Sequence, residues 1–211
     1  MNNVSVDLKS FIIITMKLRK VTKNLLIVFV LLLAKTNLIF STEYEVLSDI
    51  KYYEGYLTDT SIVNHKLCRL NLYYPKNLKN FPTVVWLHGG GLTGEVADFP
   101  SKLINQQLAI VAVNYRKSPA VKYPTYIEDA AAALNWTFKN IEKYGGNVEK
   151  IVLSGVSAGG YLALMLALDK KYTNKYNIDV NKLASMVSIS GQAITHFTVR
   201  AERGMPYWQA T

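Results

Sequence analysis

Four apolar runs set the terms on which this chain can fold. Residues 83–87 (TVVWL), 108–115 (LAIVAVNY), 150–154 (KIVLS) and 184–190 (ASMVSIS) are short, rich in β-branched residues and continuous rather than alternating. A strand that shows neither face to water reads this way, so these runs predict parallel strands covered on both sides. Residues 66–74 (KLCRLNLYY) alternate apolar and polar instead, as a half-exposed strand does, and Pro75 ends them.

Helical patterns separate the runs. From Thr125 onward, Ile127, Ala130, Ala131, Leu134, Phe138 and Ile141 keep the spacing of one helix face. Thr125 with Glu128 three places on reads as a capping box, preceded by Pro124, and residues 144–147 (YGGN) stop the helix. Residues 158–168 (AGGYLALMLAL) are apolar on nearly every side, which predicts a buried helix. Strand, helix, strand, helix, strand, helix, strand is the order of a doubly wound, mostly parallel α/β sheet.

With 211 residues, half of them hydrophobic, a single core of ordinary size is expected. The lone cysteine, Cys68, excludes an internal disulfide and any cysteine-based metal site, and it reads as a small apolar residue on a strand. No metal or cofactor is implied. The net charge of +9 divides unevenly: residues 1–41 hold six basic residues and one acid, whereas the remainder carries 18 basic and 14 acidic residues, scattered along it. Scattered charge is a solvated surface, and it excludes a phosphate-tracking stripe for nucleic acid.

The basic excess has a local cause. From Met16, four basic residues precede ten apolar ones, Leu25–Ala34, and Ser41 offers a small side chain near a cleavage point. That is the layout of a signal peptide, and the apolar run reaches only about 15 Å as a helix, short of a ~30 Å hydrocarbon core. We therefore expect residues 1–41 to be an extension and signal peptide, translation starting at Met1 or Met16, and 42–211 to be the folded domain. The protein is then secreted or periplasmic. A retained N-terminal membrane anchor is the alternative.

Two glycine motifs follow buried strands. Gly155-Val156-Ser157-Ala158-Gly159 lies between a strand and a helix, where a sharp turn lifts the serine hydroxyl to the carboxyl edge of the sheet. A helix-capping serine in a plain glycine turn is the bland alternative. His88-Gly89-Gly90-Gly91 follows residues 83–87 directly. Acyl transfer places negative charge on a carbonyl oxygen. Glycine amides can approach that oxygen without a Cβ in the way.

With both motifs in order, residues 67–190 resemble the α/β-hydrolase superfamily and, within it, the HGGG-bearing esterases. The likeness runs through LNLYYP, VVWLHGGG, VAVNYR, YPTYIEDAAAALNW and GGNVEKIVLSGVSAGGYLAL. Both hormone-sensitive-lipase-like enzymes and secreted feruloyl- or acetyl-esterase-like enzymes are similar; Val156, where the former often carry Asp, and HGGGLTGE lean towards the latter. The resemblance implies Ser157 as nucleophile, Gly90, Gly91 and Ala158 as the oxyanion hole, and His88 as a loop-supporting residue rather than the base. It also implies a structural ion pair of Arg116 with Asp129, and a small-molecule or carbohydrate-linked ester as substrate. Amide hydrolysis, as in arylformamidases or prolyl-oligopeptidase-like peptidases, is the alternative within this chemistry.

The triad of this fold runs serine, acid, histidine. After Ser157 the acids are Asp169, Asp179 and Glu202, and the histidine is His196. Asp169 falls at the far end of the helix behind the serine, and Asp179 precedes the last strand. His196 reads as a pocket-wall or loop residue rather than the base. We therefore expect the acid and base beyond residue 211, the chain being part of a longer enzyme. If the chain is whole, the reading becomes a non-catalytic binding module with an open sheet edge after Ser190.

Overall fold

The apolar runs become the parallel block of one six-stranded sheet. In the computed structural model, residues 42–53 and 66–205 are described, together with Arg19 and Lys23. Two compact units divide the chain, Met1–Ser41 and Thr42–Thr211; the expected signal segment lies outside the described residues. Among the described residues no helix is long and apolar enough to cross a membrane. The strands are β1 (Tyr44–Lys51), β2 (Arg69–Pro75), β3 (Phe81–Leu87), β4 (Ala109–Val113), β5 (Gly146–Val156) and β6 (Ser185–Ile189), in the spatial order β1-β2-β4-β3-β5-β6. β4, β3, β5 and β6 run parallel, while β1 and β2 join antiparallel at the β4 side.

Burial follows position in the sheet. All five residues of central β4 are buried, and on β2 the alternation is real, with Leu70 and Leu72 inside. β6 departs from expectation. It was to be covered on both faces, yet among the described residues it pairs with β5 alone, and Val187 and Ile189 are each 44% exposed. Its own apolarity cannot supply the neighbour that would bury it. β1 was not anticipated. Its register with β2 shifts between Leu47 and Ile50, and Asp49 there has φ 58°, so no clean period-two pattern survives.

The helices are α1 (Thr125–Asn140), α2 (Ala158–Leu168), α3 (Lys171–Asn174) and α4 (Phe197–Glu202). Ile127, Ala130, Ala131 and Leu134 of α1 are buried as their spacing requires. The capping box does not form. Thr125 is already helical, its N–H donates to the Lys122 carbonyl, and the Pro124 carbonyl takes the N–H groups of Ile127 and Glu128 without any side-chain cap. Gly145, at φ 100°, stops the 3₁₀ turn Ile141–Tyr144 that continues α1. α2 is buried over its first half, but its last turn opens and Leu168 is 75% exposed. Between β3 and β4, where alternation calls for a helix, there is only the 3₁₀ turn Ser101–Leu103. That stretch is occupied by the glycine loop.

One buried charge ties the strand ends to α1. Asp129 is fully buried, and its carboxylate accepts from the Arg116 guanidinium (2.6 and 2.9 Å), the Arg116 amide (2.9 Å) and the Tyr53 hydroxyl (2.6 Å). The expected ion pair is therefore present and bidentate. Beside the carboxylate, burial and its charge push the Tyr53 hydroxyl far above the usual tyrosine range. Removing Asp129 leaves a cation and a hydroxyl without their partner, whereas removing both charges relieves part of that loss. Asp129→Ala should lower the unfolding free energy by about 3–5 kcal/mol and Arg116→Ala/Asp129→Ala by less. Thermal unfolding measures this, and an unchanged midpoint in the double variant would show that the pair is not structural.

Candidate active site

Ser157 sits on the turn between β5 and α2 at φ 54° and ψ −116°, a backbone conformation that costs a non-glycine residue energy. Its neighbours hold it there. The Ser157 N–H donates to the Ile189 carbonyl of β6 (2.8 Å), and its own carbonyl accepts from Tyr161 (3.0 Å). The flanking glycines are required by contact, not by their own angles. A Cβ on Gly159 would lie 2.0 Å from the Leu87 carbonyl oxygen, and one on Gly155 would lie 2.4 Å from that of Gly159. The elbow therefore packs backbone to backbone against the end of β3, where the glycine loop begins. The side chain of Ser157 faces solvent, and the first amide of α2, that of Ala158, stands beside it at the helix N-terminus.

In the glycine loop, successive carbonyls are held. A trans peptide sets its N–H opposite its C=O, so a held carbonyl aims the following amide the other way. The Gly89 carbonyl accepts from His88 Nδ1 (2.9 Å) and from the Tyr115 hydroxyl (3.3 Å). The Gly90 carbonyl accepts from Thr93 N–H (3.0 Å), Gly94 N–H (2.9 Å) and the Thr93 hydroxyl (3.2 Å). The Gly91 carbonyl accepts from the Thr198 hydroxyl (2.5 Å), and that of Leu92 from Ser118 N–H (2.9 Å). The amides of Gly90 and Gly91 are thus turned away from the groups that hold the loop. Gly90 and Gly91 take φ 89° and 64°, and a Cβ on Gly90 would lie 2.7 Å from the Gly94 carbonyl oxygen. The loop passes close to the serine: the Cβ position of Gly89 is 3.6 Å from Ser157 Cβ.

His88 supports the loop as the resemblance implied. Its ring stacks on Tyr115 (centroids 4.3 Å apart, planes 7° apart), whose hydroxyl also donates to the His88 carbonyl (2.8 Å). Because the Gly89 carbonyl can only accept, His88 Nδ1 carries the proton. Burial pushes the imidazole down to about 4. A cavity of about 280 Å³ adjoins the loop, lined by His88, Gly89, Glu95, Phe99 and Val156 among others.

His196 is buried and caps α4, its Nδ1 accepting from Thr198 N–H (3.2 Å), and desolvation pushes it too down to about 4. A ring nitrogen spent on a cap is not free to take a serine proton. The three acids are likewise engaged elsewhere. Asp169 ends α2 and pairs with Lys171 (2.7 Å), Asp179 caps a 3₁₀ turn, and Glu202 accepts from Tyr123 N–H (2.9 Å). Phe197 is half exposed, and its ring lies 3.1 Å from the Cβ position of Gly91. Sequence reading missed Tyr115 and Thr198 as loop anchors. Tyr115 ends the run 108–115 and was within reach, whereas nothing local marks Thr198.

The chain is similar to known esterases in sequence and in fold. The profile of the BD-FAE family matches residues 70–200. Carboxylesterase NlhH of Mycobacterium tuberculosis is 36% identical over 104 residues, which are 46% of this chain and 33% of that protein. Acylcarnitine hydrolase of Mus musculus is 36% identical over 107 residues, 43% of this chain and 19% of that protein. The chain thus spans a third or less of the length of these curated relatives. Among solved structures, esterase B from Lactobacillus rhamnosis has a TM-score of 0.52 at 22% identity, over 84% of this chain and 55% of that one. An arylesterase has a TM-score of 0.52 at 23% identity, over 72% and 47%. At such identities the likeness concerns the fold, which is that of the α/β-hydrolases.

The two buried histidines carry a pH signature. Each has a folded-state value near 4, below the ordinary 6.5, so the unfolded chain takes up the proton first as pH falls. Their contribution is complete above about pH 6.5 and is lost as pH falls towards 4. Between pH 7 and 5.5, before most carboxylates titrate, unfolding free energy should drop by about 2–3 kcal/mol, and His88→Asn with His196→Asn should flatten the slope. Denaturant titrations at several pH values give the answer. A parent profile that is level over this window would contradict two neutral, buried imidazoles.

Proposed function

The chain belongs to the BD-FAE family of α/β-hydrolases, and from that membership we propose that it is a serine esterase working through an acyl-enzyme on Ser157. The hydroxyl oxygen of Ser157 attacks the ester carbonyl carbon as its proton passes to a general base, a role for which His196 Nδ1, spent on the α4 cap, is not free. The carbonyl oxygen becomes an oxyanion, and the amides of Gly90, Gly91 and Ala158 receive it. Collapse of the tetrahedral species passes that proton to the departing alcohol and leaves the acyl group on Ser157; water, giving its proton to the same base, then attacks that ester, and the proton returns to Ser157 as the acid leaves. The observation that carries this reading is the pair of held carbonyls at Gly89 and Gly90, which turns two successive amides outward beside the serine elbow.

The arrangement has a physical advantage for acyl transfer. Donors already fixed by other hydrogen bonds need not reorient when the negative charge appears, so their stabilisation is delivered at the transition state. Small-molecule esters are the substrate class that the relatives' names support. Carbohydrate-linked esters and export from the cytoplasm belong to the same proposal. They rest on the esterase likeness and on the basic and apolar layout of residues 16–41.

Ser157→Ala should abolish both hydrolysis of p-nitrophenyl acetate and covalent labelling by a fluorophosphonate, and peptide mass spectrometry should place the label on Ser157. The matched p-nitroanilide should turn over far more slowly than the ester. Turnover that survives Ser157→Ala, or a label on another residue, would end the serine-esterase reading. Faster turnover of the anilide would move it to amides.

A further inference from the structure

The loop that carries the Gly90 and Gly91 amides is held from within up to the Gly90 carbonyl, and from far away at the next one. The Thr198 hydroxyl reaches across 107 positions of sequence to donate to the Gly91 carbonyl at 2.5 Å. Gly91 lies at φ 64° with a glycine before it, so little in the local chain restrains the rotation about its Cα. The turn hydrogen bonds fix the peptide on its N-terminal side, and Thr198 fixes the peptide on its C-terminal side. Gly91 is therefore clamped from both sides.

Thr198 is itself held in place. It is buried, its N–H is capped by His196 Nδ1 (3.2 Å), and the preceding ring of Phe197 lies over Gly91. The far end of α4 is tied to the start of α1, where Glu202 Oε2 accepts from Tyr123 N–H (2.9 Å) and from the Tyr126 hydroxyl (3.3 Å). The Arg203 guanidinium lies 4.4 Å from the Tyr123 ring centroid. Segment 196–203 is thus anchored on the helix layer and delivers one hydroxyl to the glycine loop.

We infer that Thr198 is a positioning residue for the oxyanion hole: by holding the Gly91 carbonyl it fixes the peptide that follows Gly91, which limits rotation at the Gly91 Cα and steadies the Gly91 N–H set by the Gly90 carbonyl. This rests on the reading of Gly91 N–H as an oxyanion donor. Thr198 touches no reacting atom. Without its hydroxyl the backbone on the C-terminal side of Gly91 gains freedom, that freedom reaches the Gly91 N–H through the Gly91 Cα, and the donor is less fully oriented beforehand.

Valine matches the shape of threonine without the hydroxyl, and serine keeps the hydroxyl without the methyl. In the full chain, Thr198→Val should slow phosphonylation of Ser157 by about tenfold, a part of the hundredfold that loss of a whole donor costs. The fall should lie in the maximal rate and not in the probe concentration at half-saturation. Amide hydrogen exchange at Thr93 and Gly94, whose N–H groups close the turn on the Gly90 carbonyl, should quicken in the same variant while the strands keep their protection. Thr198→Ser should restore both readouts. Parent-like labelling and exchange in Thr198→Val would overturn the inference, as would a Thr198→Ser that behaves like Thr198→Val. If Ser157→Ala labels as fast as the parent, the esterase reading fails, and exchange at Thr93 and Gly94 alone still decides whether Thr198 holds the loop.

Discussion

Direct contact of main chain with main chain, at the end of β3, is the constraint from which the rest of the site follows. Gly159 and Gly155 lie so near the carbonyls of Leu87, His88 and one another that any side chain would force the turn off the sheet. That contact places the serine elbow and the glycine loop side by side before any polar interaction is counted. The parallel register of β3 with β5, Leu87 opposite Gly155, extends the same alignment into the sheet. Two motifs separated by some sixty positions in the sequence therefore share one location because both sit at the carboxyl ends of adjacent strands.

On that platform, polar groups do what packing cannot. Carbonyls 89 to 92 are each spoken for, by His88 and Tyr115, by the turn at Thr93 and Gly94, by Thr198 and by Ser118. Peptide planarity then converts four acceptors into a defined direction for the amides between them. The histidines serve this arrangement as neutral donors or acceptors, which is why burial suits them. A charged imidazole at either position would lack solvation, and at His196 it would also lose the acceptor that caps α4.

What could be read from the residues beforehand was what depends on short stretches of chain. Continuous apolarity marked the parallel strands, helical spacing marked the face of α1, and the glycine spacing marked both halves of the site. Legibility ended where an outcome depends on a distant partner or on a local irregularity. β1 hides behind the register shift at Leu47–Ile50. Thr125 had the right neighbours for a cap, but the Lys122 carbonyl had already taken its amide. The loop between β3 and β4 resisted the expected helix because its carbonyls are committed to Tyr115, Ser118 and Thr198. Nothing near Thr198 in the chain announces its bond to Gly91, and the exposure of β6 reflects its pairing with β5 alone among the described residues rather than its own composition.

The outermost strand bears directly on the chemistry. The Ile189 carbonyl receives the Ser157 amide, so the strained serine leans on the same strand that, among the described residues, pairs on one side alone. Fraying at the rim of the sheet would be felt at the hydroxyl within one peptide unit. A polypeptide segment laid along that rim would stiffen the serine turn without touching it.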